Sequence, residues 1–139
     1  MRFLTALSTA LTISIGLLST PFPAPALAQQ PPLIVRGEMT DDDPPVSDLG
    51  HPFDVYRFTA AAGTSVILTL ESTSFNTHMV LIFDGQDGLK EIARSDNMAP
   101  NNTNSQLSGL LPHTGEYTIV MSPAEVTGRG AYMLTIEGL

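Results

Sequence analysis

Apolar and polar residues alternate along most of this chain from residue 33 onward. In the stretch 65–72, for example, Val66, Leu68 and Leu70 alternate with Ile67 and Thr69. A period of two is what a β-strand with one buried face requires. The pattern predicts about eight strands, at 33–39, 53–60, 65–72, 78–84, 90–95, 105–111, 115–121 and 130–138.

Turn-forming residues separate these segments. Glycine, with Pro, Asp or Asn close by, occurs at 62–64, 84–88, 112–115 and 127–130, and glycine permits the positive φ angles that tight turns need. No segment carries a sustained apolar stripe of period 3.6. Many short strands at this spacing favour a single all-β sandwich or jelly roll.

The alternation also assigns a buried face. The predicted core consists of Tyr56, Phe58, Val66, Leu68, Leu70, Leu81, Leu107, Tyr117, Ile119, Tyr132, Leu134 and Ile136.

The first 28 residues read as a secretory signal peptide. Arg2 precedes an apolar run from Phe3 to Leu18, and Ala26-Leu27-Ala28 supplies small residues before the polar Gln29, as signal peptidase requires. The alternative is a membrane anchor, for which the run is short of the roughly 20 apolar residues needed. We expect cleavage before Gln29, a linker at 29–32 and one domain at 33–139, in a secreted or periplasmic protein.

Composition narrows the chemistry further. The chain has no cysteine, so thiol catalysis and zinc–thiolate sites are excluded. Fourteen Asp and Glu against six Lys and Arg give a net charge of −8. An acidic protein of this kind is a poor partner for nucleic acid and for anionic lipid. We therefore expect no nucleic-acid binding, and no membrane association after signal cleavage.

An ordered set of short motifs resembles the bacterial pre-peptidase C-terminal (PPC) domain. The likeness covers about residues 33–138, and its members run in family order: Phe53-Asp54-Val55-Tyr56-Arg57-Phe58, Ala62-Gly63-Thr64, Ser74-Phe75, Ser95-Asp96-Asn97, Asn104-Ser105-Gln106-Leu107, Leu111-Pro112, Gly115-Glu116-Tyr117-Thr118 and Gly130-Ala131-Tyr132. The resemblance implies an eight-stranded antiparallel jelly-roll β-sandwich, usually appended to exported peptidases. Some relatives, the collagen-binding domains of clostridial collagenases, bind calcium and fibrous protein.

Asp54 is the principal candidate metal ligand. Period two places it on the core face with Tyr56 and Phe58, where a carboxylate must be paired, hydrogen-bonded or bound to a cation. In calcium-binding relatives the matching aspartate is a ligand, and Asp41, Asp42 and Asp43 could add oxygens. The acidic segment that completes the relatives' site is here the uncharged stretch 29–32. A structural role for Asp54 is preferred over a weak calcium site, and a solvated turn is preferred for 41–43.

The remaining polar clusters favour structural roles. Asp84 and Asp87 flank a turn without the spacing of an EF-hand loop. The loop 96–104 is rich in Asn, which satisfies backbone groups by itself. His51, His78 and His113 are far apart and belong to no catalytic motif.

The sequence therefore predicts an exported, non-catalytic binding module for protein, peptide or glycan, without a certain cofactor. The alternative is a structural or chaperone-like accessory that aids the secretion or stability of a separately encoded enzyme. An exposed apolar patch on one sheet would favour binding.

Overall fold

A computed structural model describes residues 30–46 and 50–139. The predicted signal peptide and its cleavage site lie outside these residues. The described chain contains ten strands: β1 (Leu33–Met39), β2 (Pro45–Val46), β3 (His51–Pro52), β4 (Asp54–Ala60), β5 (Ser65–Glu71), β6 (Thr77–Gly85), β7 (Gly88–Ser95), β8 (Ser105–Leu110), β9 (Gly115–Pro123) and β10 (Gly130–Glu137). Over the same residues, no helix is long and apolar enough to cross a membrane.

The eight long strands form two four-stranded antiparallel sheets. The first sheet has the order β1-β10-β5-β8 and the second has the order β4-β9-β6-β7. When the eight long strands are numbered 1 to 8 along the chain, their order is 1-8-3-6 in the first sheet and 2-7-4-5 in the second. This interleaved order is that of an eight-stranded jelly roll, so the predicted fold class is confirmed.

The core lies between the two sheets. Ten of the twelve predicted core residues are buried, while Tyr56 and Leu107 are partly buried against the core. The predicted core omitted five residues that are buried: Met39, Phe75, Met79, Leu111 and Met121. Of these, Phe75 lies in the loop between β5 and β6, where no period-two pattern applies, whereas Met79, Leu111 and Met121 lie two or four residues from predicted core residues, on the same period-two face.

A short hairpin of β2 and β3 was not expected. It pairs Pro45 with Pro52 and Val46 with His51. The prolines at 44, 45 and 52 made this region read as a loop, because proline cannot donate to a sheet ladder. The hairpin contributes only two residues from each strand, and it packs beside β9 through β3.

Two hydrogen bonds of Tyr117 hold the turn before β9. The ring of Tyr117 is fully buried between Phe58 and Phe83. Its hydroxyl donates to the carbonyl oxygen of His113 at 2.6 Å and accepts from the His113 N–H at 2.9 Å. A buried phenol thus satisfies the backbone of a four-residue turn, and the turn sets where β9 enters the second sheet.

Candidate functional site

Asp54 lies on the core face of β4, as its period predicted, and it has a protein partner. The Tyr132 hydroxyl on β10 donates to Asp54 Oδ2 at 2.6 Å, so the contact joins the second sheet to the first. Burial, followed by this hydrogen bond and the charge of Asp54, raises the pKa of Tyr132 well above its ordinary value. The phenol therefore stays protonated and acts as a permanent donor to the carboxylate.

Gly37 on β1 makes room for that tyrosine. Gly37 and Tyr132 are register partners in the first sheet, and a Cβ atom at residue 37 would overlap the Tyr132 hydroxyl and ring. The ring thus lies over the backbone of β1, in the space that a side chain would otherwise fill. This packing fixes the direction in which the hydroxyl meets Asp54.

The three aspartates after β1 are engaged separately. Asp41 accepts from the Arg129 Nε at 2.9 Å, and the same guanidinium donates to the carbonyl oxygens of Val126 and Gly128. Asp43 accepts from the N–H and hydroxyl of Thr40. The Asp42 side chain is exposed. One carboxylate therefore ties two loops together, a second closes a local turn, and a third faces solvent.

These positions do not assemble a shell of carboxylates around one point. Within residues 30–46 and 50–139, no three His, Asp or Glu side chains are grouped closely enough to hold a metal ion. Calcium prefers six to eight oxygen ligands. A site at Asp54 would need backbone carbonyls and water for most of them, which is the chemistry of a weak site.

The asparagines of the 96–104 loop bind backbone groups. Asn104 Oδ1 accepts from the Ser72 N–H at 3.2 Å, and Asn102 Oδ1 accepts from the Asn104 N–H at 2.9 Å. Asn101 has a φ of 62°, a left-handed conformation that asparagine tolerates better than most residues. Two of the side-chain oxygens that a cation could use are thus already bonded to the backbone.

Two of the histidines are near each other, since the charge of His51 contributes, after burial and Arg94, to lowering the pKa of His78, and His78 also lies beside a hydroxyl group. His78 Nδ1 lies 3.4 Å from the Ser122 Oγ, which is buried. Burial and the neighbouring Arg94 lower the pKa of His78. No carboxylate hydrogen-bonds this imidazole within the described chain, so the pair lacks the orienting group of a hydrolytic triad.

The outer face of the second sheet carries a row of valines. Val55 on β4 pairs with Val120 on β9, and Val120 pairs with Val80 on β6. Val55 is 41% exposed, and the other two are half-buried. Ile82 follows Val80 on the same face. These four residues are called the valine row below.

Ion pairs border the valine row on two sides. Arg57 on β4 lies 3.8 Å from Glu116 on β9. Arg94 on β7 makes a bidentate pair with Glu91, at 2.7 and 2.6 Å. This pairing lowers the pKa of Glu91 and raises that of Arg94. An apolar centre with a charged rim is the arrangement found in protein-binding surfaces.

The outer face of the first sheet also carries exposed apolar residues, Ile34, Ile67 and Leu110, but each is paired with polar residues rather than with another of them. Its central row reads Ile34, Thr135, Thr69 and Gln106 across four strands, and Gln106 donates to the Thr69 hydroxyl. A shallow groove of about 410 Å³ lies toward one end of this sheet, over the Arg36–Met133–Glu71 row. The two faces of the sandwich therefore differ, and the larger apolar row belongs to the second sheet.

Sequence reasoning did not single out the valine row. The signal was present, since Val55, Val80, Val120 and Ile82 are β-branched apolar residues at positions that period two places outside. Each is unremarkable alone, because single apolar residues are common on protein surfaces. Only the strand order shows that three of them are cross-strand neighbours.

The geometry defines a jelly-roll domain with an apolar sheet face. Residues 52–122 match the family described as the bacterial pre-peptidase C-terminal domain. The match spans half of the sequence, so the chain belongs to this family and the resemblance seen in its motifs is confirmed. A search of curated proteins found no match.

Two solved structures share the fold. One is PliG of Aeromonas hydrophila, a periplasmic lysozyme inhibitor of g-type lysozyme, with 18% identity, a TM-score of 0.55, and coverage of 76% of this chain and 84% of that one. Another is the pre-peptidase C-terminal domain of collagenase from Bacillus anthracis, with 18% identity, a TM-score of 0.54, and coverage of 76% and 88%. At this identity, the likeness establishes the fold.

Proposed function

We propose that this protein is an exported module that binds another protein through the outer face of its second sheet. The observation that carries the proposal is the valine row, a contiguous apolar strip bordered by ion pairs on an otherwise acidic molecule. A solvent-facing sheet normally carries polar residues at these positions. A uniformly polar surface would instead favour the alternative role, a structural or chaperone-like accessory.

The chemistry of the partner follows from the charge. The chain carries a net charge of −8, which favours encounter with a cationic protein. The partner's contact surface should present aliphatic or aromatic side chains to the valine row, and polar groups to Arg57, Glu116, Glu91 and Arg94. The fold shared with a lysozyme inhibitor makes g-type lysozyme the first defined partner to test.

The test compares two variants at matched positions. Val120→Asp places a charge at the centre of the valine row, while Thr135→Asp places the same charge at the centre of the first sheet's outer face. Both residues are half-buried on inner strands. Thermal melts establish that both variants fold, and each is then immobilised beside the unmodified protein, with and without calcium.

We expect proteins retained from the exported fraction to be lost on Val120→Asp and kept on Thr135→Asp. Lysozyme binding and lysozyme activity are measured with the same three proteins. A retained protein is taken as a partner of the valine row only when it is lost on Val120→Asp and kept on Thr135→Asp. Equal retention by both variants, or retention of none by the unmodified protein, contradicts the proposal.

A further inference from the structure

The free edge of β8 differs from the other three sheet edges. Each of those carries charged residues: β1 has Arg36 and Glu38, β4 has Asp54 and Arg57, and β7 has Lys90, Glu91 and Arg94 with a register shift opposite Leu81 and Ile82. Charges and bulges of this kind protect an edge from pairing with another strand. The β8 sequence, Ser-Gln-Leu-Ser-Gly-Leu, contains neither charge nor proline.

The register shows which backbone groups β8 leaves unpaired. The N–H of Leu111 donates to the Thr64 carbonyl oxygen at 2.9 Å, and Leu110 is opposite Ser65. Because bonded and non-bonded pairs alternate in an antiparallel ladder, Ser108 and Leu110 direct their N–H and C=O groups away from β5. The N–H of Gln106 also points away from β5, but it already has a partner, because it donates to Ser95 Oγ on β7.

An apolar slot opens beside this edge. The Gln106–Ser95 contact joins β8 to β7 at one end, and beyond it a slot of about 220 Å³ separates the two strands. Its lining is mainly aliphatic and includes core residues: Val66, Leu68, Leu81, Ile92, Leu107 and Leu111. Gly109 contributes no side chain to close it, and no heavy atom lies within 4 Å of the place a Cβ would take.

The flanks of the slot indicate what would cover it. Leu89 and Leu110 are the two most exposed large apolar residues of the described chain, at 73% and 70%. Both lie at the end of their strands away from the Gln106–Ser95 contact. Lys90 is exposed, shares a face of β7 with Ile92, and makes no ion pair among the described residues.

We infer that an extended segment of a partner protein adds to the first sheet along β8. Its backbone pairs with Ser108 and Leu110, one aliphatic side chain enters the slot, and a nearby carboxylate meets Lys90. Strand addition supplies affinity through the backbone, and the slot supplies selectivity. A second copy of this chain is disfavoured as the occupant, since each copy carries a net charge of −8.

This inference rests on the proposed role in protein binding, but it uses a different surface. The probe is a phage-displayed library of random linear peptides, selected on the purified protein and followed by synthesis of the enriched sequences. Ser108→Pro removes the free N–H without taking a bond from β5, and proline is tolerated at such an edge position. Ser108→Ala is the matched control, and Leu110→Lys charges the same edge if the proline variant fails to fold.

We expect enriched peptides to carry an aliphatic residue near an acidic one. Their affinity should fall at least about tenfold on Ser108→Pro or Leu110→Lys and stay unchanged on Ser108→Ala. Peptide binding should also slow hydrogen exchange at the amides of Ser108 and Leu110. Equal binding to the proline and alanine variants overturns the inference.

Two further outcomes separate this edge from the valine row. Peptides that lose affinity on Val120→Asp but not on Ser108→Pro would leave the proposed function standing and remove the role of β8. Self-association of the unmodified protein that Ser108→Pro abolishes would assign the edge to a second copy, against the inference. Peptides that bind Val120→Asp normally and Ser108→Pro weakly support the edge alone.

Discussion

The hydrogen bond between Tyr132 and Asp54 should be a measurable part of the stability of this sandwich. Tyr132→Phe removes the donor while leaving the ring over Gly37, so packing is retained. A hydrogen bond to a charged group is worth about 1.5–3 kcal/mol. With a urea dependence of about 1–3 kcal/mol per molar, a loss of about 2 kcal/mol moves the unfolding midpoint down by about 1 M.

A double-mutant cycle isolates this contact from packing. Tyr132→Phe, Asp54→Asn and the double variant are unfolded in urea and followed by circular dichroism. Because the two side chains contact each other, the double variant should cost less than the sum of the single variants, with a coupling of about 0.5–3 kcal/mol. The coupling measures the bond across the two sheets.

Tyr56→Phe is the control for loss of a phenol oxygen. Tyr56 lies on the same strand as Asp54 and is partly buried, and its hydroxyl makes no side-chain hydrogen bond within residues 30–46 and 50–139. Its removal should stay within about 0.5 kcal/mol of the unmodified protein. A Tyr132→Phe midpoint equal to that of the unmodified protein, or strictly additive effects in the cycle, would refute a stabilising role for the contact.

Three other predictions concern pH, backbone packing and calcium. Burial lowers the pKa of His78 in the folded state below its ordinary value of 6.5. The unfolded state therefore binds the proton first, and the free energy of unfolding should fall as the pH drops below about 6.5. His78→Gln should remove that part of the fall, measured as urea midpoints at about pH 7.5 and about pH 5.5, and an unchanged pH profile in the variant would contradict this. Gly37→Ala should cost about 1–3 kcal/mol in the same assay, because the new Cβ overlaps the Tyr132 ring, and a wild-type midpoint would show that the ring moves freely. Millimolar calcium should stabilise the fold by well under 1 kcal/mol, so the melting temperature should rise only slightly, and not at all in Asp54→Asn. A large rise in melting temperature that saturates at micromolar calcium would establish a strong site instead.

The sequence was sufficient to predict the eight long strands and most of the core, but not the short β2–β3 hairpin. All eight predicted segments are strands in the structure, with ends that differ by at most two residues. This worked because each long strand has one buried face, so that period two is strong at residues such as Leu68, Leu70 and Ile119. It failed at Phe75, which is buried although it lies in the loop between β5 and β6.

The valine row and the open edge of β8 could not be predicted from the sequence, because both depend on the order of strands in the sheets, and periodicity does not give that order. Val55, Val80 and Val120 are separated by tens of residues and become neighbours only through the β4-β9-β6 pairing. Likewise, the open backbone of Ser108 follows from β8 being an edge strand. For Asp54, period two gave the correct face, but the hydroxyl that it accepts from lies on the opposite sheet at Tyr132.

The pairing of β1 with β10 has a consequence for the order in which this fold can form. Leu33 is opposite Ile136, so within residues 30–46 and 50–139 the first strand has its only sheet neighbour in the last. A polypeptide threaded through a membrane from its N-terminus would present β1 long before β10 emerges. Pairing between such distant segments is slow to form. The topology thus delays completion of the first sheet until nearly all of residues 33–137 are available for pairing.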